Sequence, residues 1–266
     1  MKNILLLIHA DVGQEARLQV ALDLTRALNG HLMCLDVAEL PVALMGDYLS
    51  YEGQAMVMEV ERERESNNRL EIQGRLSRED VSWTWIDTAS TLGDAILDNA
   101  ALADLIVLNR KLDGVGAPDM AGVTSRVLTH TRKPVVAVPE QLRRFALGRA
   151  LIAWDGHPSC LQSLQACLPL LAMADEVKLY MVRDGSHQLN PAEAAEYLSR
   201  HGIHADVMID DDPVVPIDML IADECERWNA DYIVMGAYGR GRLMELFGGV
   251  TKQMLANCQV PLVLAH

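Results

Sequence analysis

Residues 230–251 read ADYIVMGAYGRGRLMELFGGVT and have the pattern of a strand, a glycine-rich loop and a helix. Its apolar run, Tyr232–Met235, ends in a glycine-rich loop, and a second pair of glycines precedes a helical segment. A parallel strand delivers a phosphate-binding loop in this way, because glycines let backbone N–H groups approach a phosphate and a helix N-terminus adds unpaired donors. The spacing fits neither the P-loop consensus nor the glycine fingerprint of dinucleotide-binding folds. We interpret the stretch as a phosphate site of another kind.

The elements around this stretch occur twice in the chain. A shift of 127 residues places residues 104–108 on 231–235, 122–124 on 249–251 and 134–136 on 261–263. Apolar strands alternate with amphipathic helices in each copy, which predicts parallel sheets covered on both faces. We predict an α/β fold of two tandem doubly wound, mostly parallel five-stranded sheets. The first domain would span residues 1–139, the linker 140–148 and the second domain 149–266.

Composition limits the function. The 266 residues carry a formal net charge of −14, which argues against a nucleic-acid-binding surface because such surfaces are basic. No apolar run approaches the ~20 residues of a membrane span, and the apolar run at the N-terminus is too short for a signal peptide. The five cysteines form no CxxC pair and read as reduced thiols. We expect a cytoplasmic protein with neither nucleic-acid nor membrane partners.

Two segments of the second half resemble the universal stress protein family in its tandem form. Residues 151–158, LIAWDGHP, look like the family's opening strand and its aspartate, Asp155. Residues 235–251 look like its nucleotide signature, G-x2-G-x9-G-[S/T], and the resemblance extends over nearly the whole chain. Because family members that carry this signature bind ATP, the resemblance implies an ATP or other adenine-nucleotide site in the second half.

The resemblance also implies a role for each site residue. Asp155 would contact ribose and adenine, Val182 would offer backbone groups to adenine, Gly236 and Gly239 would approach ribose and phosphates, and Gly249, Val250 and Thr251 would donate to phosphates at the helix start. The spacing departs from the signature, since Gly239 and Gly248 enclose eight residues. Only Gly239 and Gly249 enclose the nine residues of the signature, and the hydroxyl of the signature then comes from Thr251. Mg²⁺ accompanying ATP needs a carboxylate or two, and the sequence does not identify them.

The first half departs from the signature at more positions. Asn109, Leu112 and Ala121 stand where three of the signature glycines would be. His9 takes the place of the family's aspartate, with Asp11 nearby as a substitute. A leucine side chain blocks a close backbone approach and disfavours positive φ. We therefore predict that the first domain is a degenerate copy that binds no ATP.

The resemblance implies a stress-response protein with a signalling or protective role. We find no nucleophile–base pair and no catalytic residue, so we expect at most weak ATPase activity. The resemblance implies that the domains pair through their last strands, residues 134–138 and 261–264, as family dimers do. The sequence leaves open whether two chains form a homodimer.

Alternative interpretations remain. Asp155 could simply cap the turn or helix that follows it. The chain could be a nucleotide-free interaction or scaffold protein. It could also be an enzyme acting on a small apolar or acyl ligand in the first-domain cleft, lined by loop 38–52 with Met45, Tyr48 and Tyr51.

Overall fold

The computed structural model describes residues 1–38, 51–114, 117–183, 189–211, 214–237 and 249–266, without the side chains of residues 51–58 and 61. The strands are β1 (Asn3–Ile8), β2 (His31–Ala38), β3 (Ser82–Ala89), β4 (Leu105–Asn109), β5 (Val135–Val138), β6 (Arg149–Ala153), β7 (Glu176–Val182), β8 (Ala205–Asp210), β9 (Tyr232–Gly236) and β10 (Leu262–Ala265). The helices are α1 (Gln14–Ala27), α2 (Tyr51–Leu76), α3 (Leu92–Asn99), α4 (Met120–His130), α5 (Pro158–Ala166), α6 (Leu168–Leu171), α7 (Pro191–Arg200), α8 (Ile217–Trp228) and α9 (Val250–Asn257). The predicted α/β fold is confirmed.

All these strands belong to one sheet, in the order β3-β2-β1-β4-β5-β10-β9-β6-β7-β8. Each half contributes five parallel strands in the same internal order, and the halves meet where β5 pairs antiparallel with β10, with Val136 opposite Val263. The two sheets expected from the sequence are therefore joined edge to edge. They meet through the last strands, as the sequence predicts.

Both faces of this sheet are apolar. Side chains alternate between the faces along a strand, so Leu6 of β1 enters one core and Leu5 the other. One core lies under α1, α5 and α7, and the opposite core lies under α3, α4, α8 and α9. Both cores run through the two halves. Among the described residues, no helix has the length and apolarity needed to cross a membrane.

Local structure differs from the sequence prediction at two places. The pattern over Ser159–Ala174 predicts one helix, but α5 ends at Ala166 and the short α6 follows, because Pro169 lacks an N–H and cannot continue a helix. Helix α2 already begins at Tyr51, inside the predicted loop 38–52. The remainder of that loop, including Met45 and Tyr48, lies outside the described residues.

Candidate functional site

The strand order of the second half reverses between β6 and β9. β6 pairs with β7 on one side and β9 on the other, and Ala153 lies beside Met235. Open α/β sheets bind ligands at such a switch point, in the crevice beyond the carboxyl ends of the strands. Asp155 comes two residues after β6, and Gly236 is the last residue of β9. The structure thus brings these two predicted residues to the same switch point.

Asp155 forms a tight turn. Its Oδ1 accepts a 2.9 Å hydrogen bond from the backbone N–H of His157, and Gly156 between them has φ of 71°. His157 is the residue that precedes α5, and its side chain does not cap the helix. Asp155 therefore has the turn-capping contact considered as its alternative role, and this contact fixes a half-buried carboxylate at the mouth of the crevice.

Gly236 is required by packing. A Cβ built on it would lie 2.6 Å from the backbone N and 2.9 Å from the Cα of Cys160, and 2.9 Å from Ser159 Oγ. Helix α5 therefore rests directly on the end of β9. The close approach that the sequence predicted at this glycine is made by a helix start of the protein itself.

The sequence did not predict a place in the site for two side chains at the start of α5, Ser159 and Cys160. The Cys160 thiol donates to Ala153 O at 3.3 Å, and burial, together with the carboxylate of Asp155, raises its pKa to about 12. It stays protonated and is a poor nucleophile. Ser159 Oγ is buried and has no hydrogen-bond partner within the part of the chain that the structure describes. The only signal for Ser159 was its place after Pro158 at a helix start.

Helix α9 begins at the residues predicted to bind phosphates. Gly249 precedes the helix, Val250 and Thr251 form its first turn, and that turn contains no acidic residue. Because α9 connects the parallel strands β9 and β10, its N-terminus lies at the carboxyl edge of the sheet. The first N–H groups of a helix have no partner within the helix, so this end can receive an anion.

Val182 is the last residue of β7 and is buried. β7 lies next to β6, and Trp154 N donates to Tyr180 O at 2.8 Å, so Val182 ends at the same edge of the sheet. Two predicted site residues, Gly239 and Gly248, lie outside the described residues. No group of His, Cys, Asp or Glu side chains in the described ranges is arranged to hold a metal ion.

The equivalent switch point of the first half is filled by an arginine. The Arg17 side chain is fully buried, and it donates to both carboxylate oxygens of Asp11 at 2.7 and 2.8 Å. It also donates to Asn109 Oδ1 at 2.6 Å and to the carbonyls of Leu7 at 2.8 Å and His9 at 2.6 Å. Asp11, which the sequence suggested as a substitute for the family's aspartate, is therefore the carboxylate of a buried ion pair.

In each half a helix start packs against a strand end, α1 on β4 and α5 on β9. The two halves differ in which of the two elements carries the glycine. In the first half the glycine is Gly13, just before α1, and a Cβ there would lie 2.4 Å from Leu112 Cδ2 and 2.6 Å from Asn109 Oδ1. In the second half the glycine is at the strand end and the helix start carries the side chain. Asn109 and Leu112, which replace two of the signature glycines, thus fill the space between the end of β4 and the start of α1.

A cavity of about 430 Å³ lies beside this filled position, at the carboxyl ends of β2 and β3. Its lining includes Asp36, Arg62, Glu65, Arg69 and Asp87. Burial, reinforced by the charge of Asp87, raises the pKa of Asp36 to about 6. Five ionisable side chains thus line this cavity, and residues 39–50 of the loop predicted to line the first-domain cleft lie outside the described residues.

Comparisons with known proteins agree with this architecture. The model of the universal stress protein family matches residues 1–139 and 213–266, which is more than half of the chain. A universal stress protein from Archaeoglobus fulgidus DSM 4304 is 17% identical, with 99% of this chain and 97% of that chain covered and a TM-score of 0.77. A protein of unknown function from Pseudomonas aeruginosa PAO1 is 16% identical, with 99% and 92% covered and a TM-score of 0.61.

A family member from Arabidopsis thaliana, solved with AMP bound, is 14% identical, with 44% of this chain and 90% of that chain covered and a TM-score of 0.34. A search of curated proteins gave no significant match. The family match and the repeated strand order lead to one conclusion: the chain belongs to the universal stress protein family.

Proposed function

We propose that this protein binds ATP or another adenine nucleotide at the switch point of its second half, and that binding serves a signalling or protective role in the stress response. The observation that carries the proposal is the meeting of Asp155, Gly236 and the start of α9 at one edge of the sheet. The equivalent edge in the first half is filled by Arg17 and Leu112. The difference between the halves favours one nucleotide per chain.

Each part of the site has a role suited to its chemistry. The half-buried carboxylate of Asp155 is a hydrogen-bond acceptor for ribose hydroxyls. Backbone groups at Val182 can pair with the adenine edge, and the N-terminus of α9 offers N–H donors to phosphates. Thr251, buried in the first turn of α9, carries the hydroxyl of the signature. The N–H donors at the start of α9 would thus attract an anion locally, although the protein is strongly acidic overall.

We propose that any hydrolysis of the bound nucleotide is slow. The Cys160 thiol is held protonated by burial and by the neighbouring charge of Asp155, so it is a poor nucleophile. Hydrolysis would depend on a positioned water and on charge stabilisation of the transferred phosphoryl group. We therefore propose that nucleotide occupancy, with or without Mg²⁺, matters more than turnover.

Calorimetric titration with ATP in the presence of Mg²⁺ tests the proposal. The wild-type chain should bind with a stoichiometry near one. Asp155→Ala should weaken binding by about 10- to 100-fold, since it removes hydrogen bonds to a charged group. The matched control is Asp206→Ala, because Asp206 is exposed in β8 of the same half, near the amino end of that strand. Absence of heat at millimolar ATP would refute the proposal and favour a nucleotide-free interaction protein, and two sites per chain would refute the silent first half.

A further inference from the structure

Helix α9 is short, and its two ends are held by different parts of the chain. It spans eight residues, Val250–Asn257, with no basic residue in its last turn. The last carbonyl groups of a helix have no partner within the helix, and a cation near them is favourable. The corresponding helix of the first half, α4, has His130 in its last turn. The last turn of α9 thus has no basic residue of its own.

Arg110 supplies that cation from the first half. Its Nη1 donates to Leu255 O at 3.0 Å and to Ala256 O at 2.6 Å, both in the last turn of α9. These contacts join residues 145 and 146 positions apart. Arg110 Nε is buried without a hydrogen-bond partner among the described residues, so the hydrogen bonds that the guanidinium makes there are those to the two carbonyls of α9.

The backbone that carries Arg110 is fixed by the filled switch point. Arg110 N donates to Val138 O at 3.0 Å, at the end of β5. The preceding residue, Asn109, accepts from Arg17 at 2.6 Å and donates through Nδ2 to Gly13 O at 3.3 Å. The repeat shift of 127 residues places Ala237 at the position of Arg110 in the second half. The contact is thus asymmetric between the halves.

We infer that Arg110 is a positioning residue for the nucleotide site: by holding the C-terminal end of α9, it sets the place of the N-terminal end that receives the phosphates. The inference rests on the proposed function. Under this inference the first half contributes to the nucleotide site of the second half, although its own switch point is filled. A helix of eight residues is marginal by itself, so tertiary contacts at its ends decide its position and order.

The test compares ATP with adenosine, because only ATP uses the helix N-terminus. In calorimetric titrations, Arg110→Met should weaken ATP binding about three- to tenfold, the range expected for a cation at a helix end, and change adenosine binding less than twofold. Arg110→Lys should restore most of the ATP affinity, because an ammonium group can also donate to the two carbonyls. Arg126→Met is the control, since Arg126 pairs with Asp94 on the first-half surface.

Three binding results in the variants would overturn the inference. These are unchanged ATP affinity in Arg110→Met, an equal loss for ATP and adenosine, or an equal loss of ATP affinity in Arg126→Met. A wild-type chain that binds neither ligand would instead overturn the proposed function, and the inference with it. The amide hydrogen-exchange rates of residues 250–257 give a readout without ligand: they should rise in Arg110→Met and not in Arg126→Met, and unchanged rates would contradict the positioning role.

Discussion

Replacing Arg17 with methionine should destabilise the protein strongly, although the residue lies far from the proposed nucleotide site. The substitution keeps a long apolar stem and removes the guanidinium. It would leave the Asp11 carboxylate, whose side chain is only 4% exposed, without its cation. The carbonyls of Leu7 and His9 and the Oδ1 of Asn109 would also lose a donor.

The size of the effect follows from burial. Removing one partner of a buried ion pair costs about 3–5 kcal/mol, because an uncompensated charge stays behind. At roughly 2–4 °C per kcal/mol for a chain of this size, the melting temperature should fall by about 10 °C. The surface pair formed by Arg126 and Asp94 provides the scale for comparison, since both side chains are close to half exposed. Its removal in Arg126→Met should cost less than about 1 kcal/mol.

Thermal unfolding followed by circular dichroism measures both variants, and a double variant identifies the cause. Arg17→Met combined with Asp11→Asn removes the stranded charge, so it should be more stable than Arg17→Met alone. A loss below about 1 kcal/mol in Arg17→Met would refute the reasoning, because it would mean that water or a rearrangement already serves the carboxylate. A double variant less stable than the single one would also refute it.

Two further predictions concern other positions. Gly236→Ala should lower the free energy of unfolding by about 1–3 kcal/mol, because the new Cβ would meet the backbone of Cys160. Gly74→Ala, in open space within α2, should raise it by about 0.4–1 kcal/mol, and equal shifts in melting temperature for the two variants would contradict this reasoning. Asp36→Asn should stabilise the protein at pH 7–8 and lose that gain below about pH 4. The folded pKa of about 6 lies above the ordinary 3.8, so the wild-type protein loses stability through Asp36 as pH rises between these values. Denaturant unfolding measures the difference in unfolding free energy between the variant and the wild type, and a difference that does not change with pH would contradict this prediction.

The sequence predicts the fold well where the signal is local. The apolar run before Gly236 is a buried strand, and the shift of 127 residues correctly pairs the two halves. The pairing of β5 with β10 was implied only by the family resemblance, and the structure shows it. The break at Pro169 was visible in the sequence, but apolar spacing over Ser159–Ala174 outweighed it.

Long-range contacts explain what the sequence did not predict. Arg17 reads as one polar position in an amphipathic helix, yet its partner Asn109 is 92 positions away. Arg110 reaches a helix end 145 positions away. Arg17 also pairs with Asp11, six residues away, but nothing near Arg17 or Arg110 in sequence indicates these long-range partners. The packing reason for Gly236 likewise requires α5 to be placed against β9.

A crystal structure of the wild-type chain grown with ATP and Mg²⁺ tests the central claim most directly. We predict one nucleotide per chain beyond the carboxyl ends of β6 and β9, with its ribose beside Asp155 and its phosphates at the start of α9. Nucleotide density at the ends of β1 and β4, in place of Arg17, would contradict the account. A nucleotide bound away from both switch points would contradict it equally.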